Sequence, residues 1–113
     1  MSSYERYEKQ RAQLIVDLRV LARRGATVIQ MVDHVHTALA GPDRTPGSGP
    51  RILIFTLFIR AFKLGMADVN IIGAMVRFEG ERGRPDQVIE DDVAPHIARW
   101  LAAHPDPTEE ELR

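Results

Sequence analysis

The chain has 113 residues, a formal net charge of −1 and no cysteine. This length suits one domain, and the near-zero charge provides no overall attraction to nucleic acid or to an anionic membrane. Without cysteine, disulfides, thiolate metal sites and cysteine nucleophiles are excluded. The polar N-terminus lacks the apolar stretch of a signal peptide, so we expect a cytoplasmic protein.

The first forty residues contain two segments with helical periodicity. In the first segment, apolar residues recur every three, four or seven positions between charged ones, which predicts a long amphipathic helix. This stripe comprises Tyr4, Tyr7, Leu14, Leu18 and Leu21. We expect Ser2 or Ser3 to cap the helix and Gly25 to stop it. Thr27 then offers an N-cap for a second helix that ends at Gly41.

Residues 51–62 read RILIFTLFIRAF, and nine of these twelve residues are apolar. The run is too short for a transmembrane helix, which needs about 20 apolar residues. Its composition favours a strand, but no second strand-like run is present, and an unpaired strand leaves backbone groups unsatisfied. On a helix, Thr56, Arg60 and Lys63 form one narrow polar stripe. We therefore predict a helix over residues 51–63 that is buried in the core or covered by a partner.

The next segment completes a helical hairpin. A turn at Leu64-Gly65 is followed by apolar residues at helical spacing, which predicts a fourth helix over residues 66–78. The hairpin over residues 51–78 therefore has the layout of a helix-turn-helix.

The C-terminal part of the chain predicts one more helix. Pro95 is tolerated only in a first turn, so we expect Asp92 to cap a helix over about residues 93–103. The fold class is then all-α, a small orthogonal bundle of about five helices. Residues 1–104 form a single helical domain, and residues 105–113 form an acidic tail that we expect to be disordered.

The apolar hairpin favours a protein-interaction or regulatory module that has no catalysis of its own. Its partner is another protein or a second copy of the chain, and a homodimer is preferred over a monomer. The residues expected to form the core or the contact surface are Phe55, Phe58, Phe62, Ile72 and Met75.

The alternative function is a DNA-binding transcriptional regulator that uses the same hairpin. A recognition helix needs exposed donors that reach base edges, and this segment has few, so we do not expect nucleic acid. The residues that would contact DNA are Arg60, Lys63, Asn70 and Arg77.

Catalytic and metal-binding patterns are weak. His34 and His36 face different directions on a helix, and Asp33 with His36 supplies too few ligands for zinc. The three serines lack the motif of an activated nucleophile. The acidic run Glu90-Asp91-Asp92 is interpreted as favourable charge at the start of the last helix. We therefore expect no enzyme activity, no metal and no cofactor.

Overall fold

The computed structural model describes residues 3–40, 51–74 and 83–112. Within these ranges the chain forms helices and turns, without a strand, so the all-α prediction is confirmed. The α-helices of the described residues are α1 (Ser3–Arg23), α2 (Val28–Ala40), α3 (Arg51–Phe62), α4 (Met66–Val69) and α5 (Asp86–Ala103). Two 3₁₀ turns occupy Asn70–Ala74 and Glu110–Leu112.

The junction between α1 and α2 follows the local signals in the sequence. Gly25 has a φ of 84°, and the backbone N–H of Ala26 donates to the carbonyl of Leu21 at 3.0 Å, which is the C-terminal motif that glycine favours. Thr27 and Gln30 then form a reciprocal capping box, with hydrogen bonds of 3.1 and 2.8 Å. The predicted stop and start are both confirmed.

The turn between α3 and α4 lies one residue earlier than predicted. Lys63, rather than a glycine, adopts the left-handed conformation, with a φ of 52°. The backbone N–H of Leu64 donates to the carbonyl of Ile59 at 3.2 Å. Gly65 is extended and serves as the N-cap of α4, where its N–H donates to the carboxylate of Asp68 at 3.0 Å. The Lys63 conformation thus ends α3 without the glycine that this position usually requires.

The predicted continuous helix over residues 66–78 is wrong for its middle part. Four residues of α-helix are followed by the tighter 3₁₀ turn Asn70–Ala74, and residues 75–78 lie outside the described ranges. The sequence Val69-Asn-Ile-Ile-Gly73 accounts for the change, because β-branched residues, asparagine and glycine all have low helix propensity.

The last helix begins seven residues earlier than predicted. α5 starts at Asp86, and Pro95 lies in its interior rather than in its first turn, so Asp92 is not its N-cap. An interior proline costs about 3 kcal/mol, and burial of one face of the helix offsets this cost. That face comprises Ile89, Val93, Ile97 and Trp100, whereas Pro95 is exposed.

Helix α3 lies in the core of the single chain. It contacts α1, α2, α4 and the first 3₁₀ turn. Its buried residues are Ile54, Leu57, Phe58, Ala61 and Phe62. Arg60 and Lys63 of its predicted polar stripe are exposed, whereas Thr56 is half-buried. Of the two possibilities left open by the sequence, the structure shows burial by the chain's own helices.

Candidate interaction surface

The predicted hairpin surface is largely inaccessible. Phe58, Phe62 and Ile72 have at most 1% of their surface exposed. Phe55 is half-buried, and Met75 lies outside the described residues. These side chains contribute to the core, so a partner cannot reach most of them without unfolding the hairpin.

The residues of the DNA-binding alternative are spread over the end of α3 and the following turn. Arg60, Lys63 and Asn70 are exposed, and Arg77 lies outside the described residues. The element that would read the major groove is one turn of α-helix followed by a 3₁₀ turn. Within the described part of the hairpin, no regular recognition helix is therefore available to carry Asn70 into a groove.

The outer face of α1 borders a groove of about 750 Å³, which we call the α1 groove. Its centre is an apolar stripe of Ala12, Val16 and Val20, spaced four residues apart on α1. Ala12 is exposed, and the two valines are half-buried. The apolar stripe of a helix is normally buried against the core of its own domain. This stripe is only partly buried, so it is available to a partner.

The polar rim of the α1 groove combines three parts of the chain. Helix α1 supplies Lys9, Gln13, Asp17 and Arg24, helix α2 supplies His34, and the C-terminal tail supplies Glu110 and Glu111. Both signs of charge are present in similar number. An apolar centre with a mixed polar rim is the usual composition of a protein–protein interface.

A hydrogen-bonded chain of three side chains joins α1 to α2 along this rim. Gln13 donates to one carboxylate oxygen of Asp17 at 2.8 Å, and the other oxygen lies 2.9 Å from Nε2 of His34. The groove-lining residues of the described structure include no serine, threonine or tyrosine, so this His–Asp pair has no hydroxyl nucleophile to activate. Asp17 and His34 lie on different helices, and the sequence offered no spacing that pairs them.

The C-terminal tail is docked on α1 by Arg23. The Arg23 guanidinium donates to the Glu111 carboxylate at 2.5 Å and to the backbone carbonyls of His104 and Asp106 at 2.7 and 3.2 Å. The Glu111 side chain is only 1% exposed. Composition predicts a disordered tail because it lacks an apolar face. In the structure, hydrogen bonds from the half-buried Arg23 hold the described part of the tail against α1.

Trp100 lies beneath this docked tail. The His104 ring stacks on Trp100 with a centroid separation of 4.4 Å. The guanidinium carbons of Arg19 and Arg23 lie 5.5 and 5.4 Å from the Trp100 ring centroid, within the range of a cation–π interaction. The tail and the C-terminal end of α1 therefore share one packed cluster.

Docking of the tail lowers the pKa of Glu111. Burial alone raises the pKa of this carboxyl, but the hydrogen bonds from Arg23 and from the backbone N–H of Thr108 outweigh burial. The net pKa of Glu111 is therefore lower than its usual value, because these bonds favour the charged form.

The described residues contain no group of three His, Asp or Glu side chains that could hold a metal ion. His34 is exposed and His36 is buried, so the two rings lie on different sides of α2. In the same part of the chain, every helix is too short or too polar to cross a bilayer. Comparisons with protein-family models, curated proteins and solved structures found no match to this chain.

Proposed function

We propose that this chain is a cytoplasmic, non-catalytic interaction or regulatory module that binds a protein partner through the α1 groove. The supporting observation is the half-exposed apolar stripe of Ala12, Val16 and Val20 inside a polar rim. The other large apolar side chains of α1 and α3 are mostly packed in the core. The proposed contact surface therefore lies on α1, whereas the sequence analysis predicted it on the hairpin.

The dimensions of the groove favour a macromolecule over a small ligand. Lys9 and Arg24 mark its two ends and are fifteen residues apart on α1, which corresponds to about 22 Å along the helix. Small-molecule sites are concave pockets that enclose most of the ligand, whereas this surface is long and open. The balanced charges of its rim provide no field for a nucleic acid.

The buried hairpin supports this surface rather than forming it. Arg19 of α1 donates to the backbone carbonyl of Ala61 in α3 at 2.9 Å. Arg23, four residues further along α1, holds the tail that contributes Glu110 and Glu111 to the rim. Because α3 is rigidly packed, α1 and the tail are held in a fixed relative position, which lowers the entropic cost of binding.

Site-specific photocrosslinking in the cell that makes the protein tests this function. A photoreactive phenylalanine analogue replaces Ala12, which is exposed in the groove, or Ala102, which is exposed on α5 outside it. We expect the probe at position 12 to produce a discrete protein adduct and the probe at position 102 to produce none. A lack of adduct from position 12, or equal adducts from both positions, contradicts the proposal.

The DNA-binding alternative predicts a different result in a duplex-binding experiment. A DNA reader binds duplex with an affinity that falls steeply as salt rises, and Arg60→Ala and Lys63→Ala weaken that binding. An interaction module shows no such binding. Fluorescence anisotropy with a labelled random duplex at several salt concentrations distinguishes the two functions.

A further inference from the structure

The guanidinium of Arg23 holds the tail through a two-point contact with a carboxylate. Its Nε and Nη2 atoms donate to the two carboxylate oxygens of Glu111 at 2.5 and 3.4 Å. This fork of donors matches the planar geometry of a carboxylate. The Glu111 side chain is 1% exposed, so the contact is enclosed on nearly all sides. The end of α1 therefore carries a site shaped for one carboxylate.

Contacts outside the tail keep Arg23 in this position. Its Nη1 atom donates to the backbone carbonyl of His104, the C-cap of α5, at 2.7 Å, and its guanidinium carbon lies 5.4 Å from the Trp100 ring centroid. Trp100 is in turn buried against Phe62, with ring centroids 5.3 Å apart. These groups belong to α3 and α5, so they stay in place when the tail leaves. The vacated site keeps its geometry, which lowers the entropic cost of refilling it.

The tail adds little apolar burial to these polar contacts. Leu112, the large apolar residue of its described part, is 72% exposed. The connection to α5 over residues 105–107 is also exposed. A segment that is held by a few hydrogen bonds and buries little apolar surface opens at a low free energy. The docked tail is fixed in place, but its release from Arg23 requires no unfolding of the helices.

We infer that Arg23 and Trp100 form a binding site for an acidic segment of a partner protein, and that the chain's own tail fills this site until the partner segment displaces it. The docked tail indicates what the segment must contain. Thr108 and Glu111 hold each other in a reciprocal capping box that presents the carboxylate, so the segment needs a glutamate three residues after a threonine or serine. Exposed Arg24 at the same end of α1 adds attraction for further acidic residues.

The tail of a second copy is a poorer occupant than a segment of another protein. An exchange of tails between two copies breaks two docked contacts, forms the same two again and adds no new one, while it loses the advantage of a short connection within one chain. A segment of another protein displaces one tail and brings contacts of its own. This inference goes beyond the proposed function, because it concerns the surface beneath the tail rather than the apolar stripe of the α1 groove.

Fluorescence anisotropy with a labelled peptide tests the site in the full-length chain. The probe is an amidated peptide with the sequence of residues 105–112, PDPTEEEL. A tail that is docked for about nine-tenths of the time raises the apparent Kd of a competing ligand about tenfold. We therefore expect Glu111→Ala, whose tail lacks the carboxylate, to bind the peptide about tenfold more tightly than the wild type. Glu110→Ala removes the same charge from an exposed neighbour, and we expect its Kd to stay within about twofold of the wild-type value.

Two further comparisons assign the binding to the contact between Arg23 and a carboxylate. A peptide with glutamine at the position of Glu111 should bind the Glu111→Ala chain about tenfold more weakly or worse, because it leaves the guanidinium without its charged partner. The double variant Arg23→Ala/Glu111→Ala should lose the gain in affinity. Circular dichroism verifies that the variants keep their helices, and the glutamine peptide tests the same contact without any change in the protein.

Several results would overturn the inference. These are a Glu111→Ala chain that binds the peptide no more tightly than the wild type, equal binding of the two peptides, and tight binding that persists without Arg23. An unlabelled wild-type chain that competes for the Glu111→Ala site as well as the free peptide does would also overturn it, because its tail would then not be docked.

The photocrosslinking experiment tests the proposed function separately. An adduct from position 12 together with a failed peptide experiment overturns this inference and leaves the interaction module standing. Peptide binding as expected, with no adduct from position 12, overturns the proposed function of the α1 groove and supports the site beneath the tail.

Discussion

The carboxylate of Glu90, in helix α5, accepts a 2.9 Å hydrogen bond from the backbone N–H of Val28, the first residue of helix α2. Its second oxygen accepts from the N–H of Ile29 at 3.2 Å. Two of the four N–H groups that every helix leaves unpaired at its start are thus satisfied from another helix. The negative charge also lies at the positive end of the α2 dipole. The acidic run does stabilise a helix start, but for Glu90 that start belongs to α2.

Removing the charge of Glu90 should destabilise the fold. Glu90→Gln keeps the shape of the side chain but weakens two hydrogen bonds to a charged acceptor, so we expect the free energy of unfolding to fall by about 1–3 kcal/mol. Asp92→Asn removes the same charge from an exposed position two residues away, and we expect a change within about 0.5 kcal/mol. Urea denaturation measures both, and equal effects of the two substitutions would show that only net charge matters.

Lys63 and Gly25, which both have a positive φ, should respond to substitution in opposite directions. Lys63→Gly relieves the left-handed conformation of Lys63, so we expect stabilisation of about 0.5–1 kcal/mol. Gly25→Ala imposes that conformation on an alanine, and we expect a loss of about 1 kcal/mol. No atom lies within 4 Å of a Cβ added at Gly25, so this loss reports backbone conformation alone. Thermal unfolding of the two variants measures the pair, and a destabilised Lys63→Gly variant would disprove the reasoning.

Truncation of Phe58 should be far more costly than truncation of Phe55. Phe58 is fully buried, and its ring centroid lies 6.2 Å from that of Phe62. We expect Phe58→Ala to lower the free energy of unfolding by about 3–5 kcal/mol, as core aromatic truncations do. Phe55 is only half-buried, so Phe55→Ala should cost less than about 2 kcal/mol. Chemical denaturation ranks the two, and the reverse order would mean that α3 faces the core with its other side.

Docking of the tail should depend on pH through Glu111. The pKa of Glu111 is lowered in the folded chain, so its ionisation stabilises docking above the ordinary value of 4.5, and this contribution is lost as the pH falls through the lowered pKa. Because His104 and Arg23 contact Trp100, tryptophan fluorescence should change in this acidic range.

Two variants identify the group responsible for that change. Glu111→Gln cannot ionise and should lack the fluorescence transition, whereas Glu110→Gln, an exposed neighbour, should keep it. Circular dichroism over the same range distinguishes tail release from acid unfolding of the helices. A transition that persists in Glu111→Gln would assign it to another carboxyl.

Pairs of side chains that are far apart in the sequence could not be predicted from it. Asp17 and His34 are 17 residues apart, and Arg23 and Glu111 are 88 apart. Each of these residues, taken alone, is typical of a solvent-exposed helix face or of a polar tail. Only the packing of α1 against α2 and the tail brings these partners within hydrogen-bond distance, so neither the α1 groove nor its polar rim could be located from spacing.

The sequence by itself determined the all-α class, the course of α1, α2 and α3, and the junction at Gly25 and Thr27. These features depend on periodicity and capping within a few residues, so local physics is sufficient for them. Only the tertiary structure decided that Pro95 lies inside a helix and that Phe58 lies in the core of one chain. Burial of a helix face offsets the free-energy cost of an interior proline. Burial also determines which apolar surface lies in the core. Because the residues that bury each face are far away in the sequence, neither outcome could be predicted from local signals.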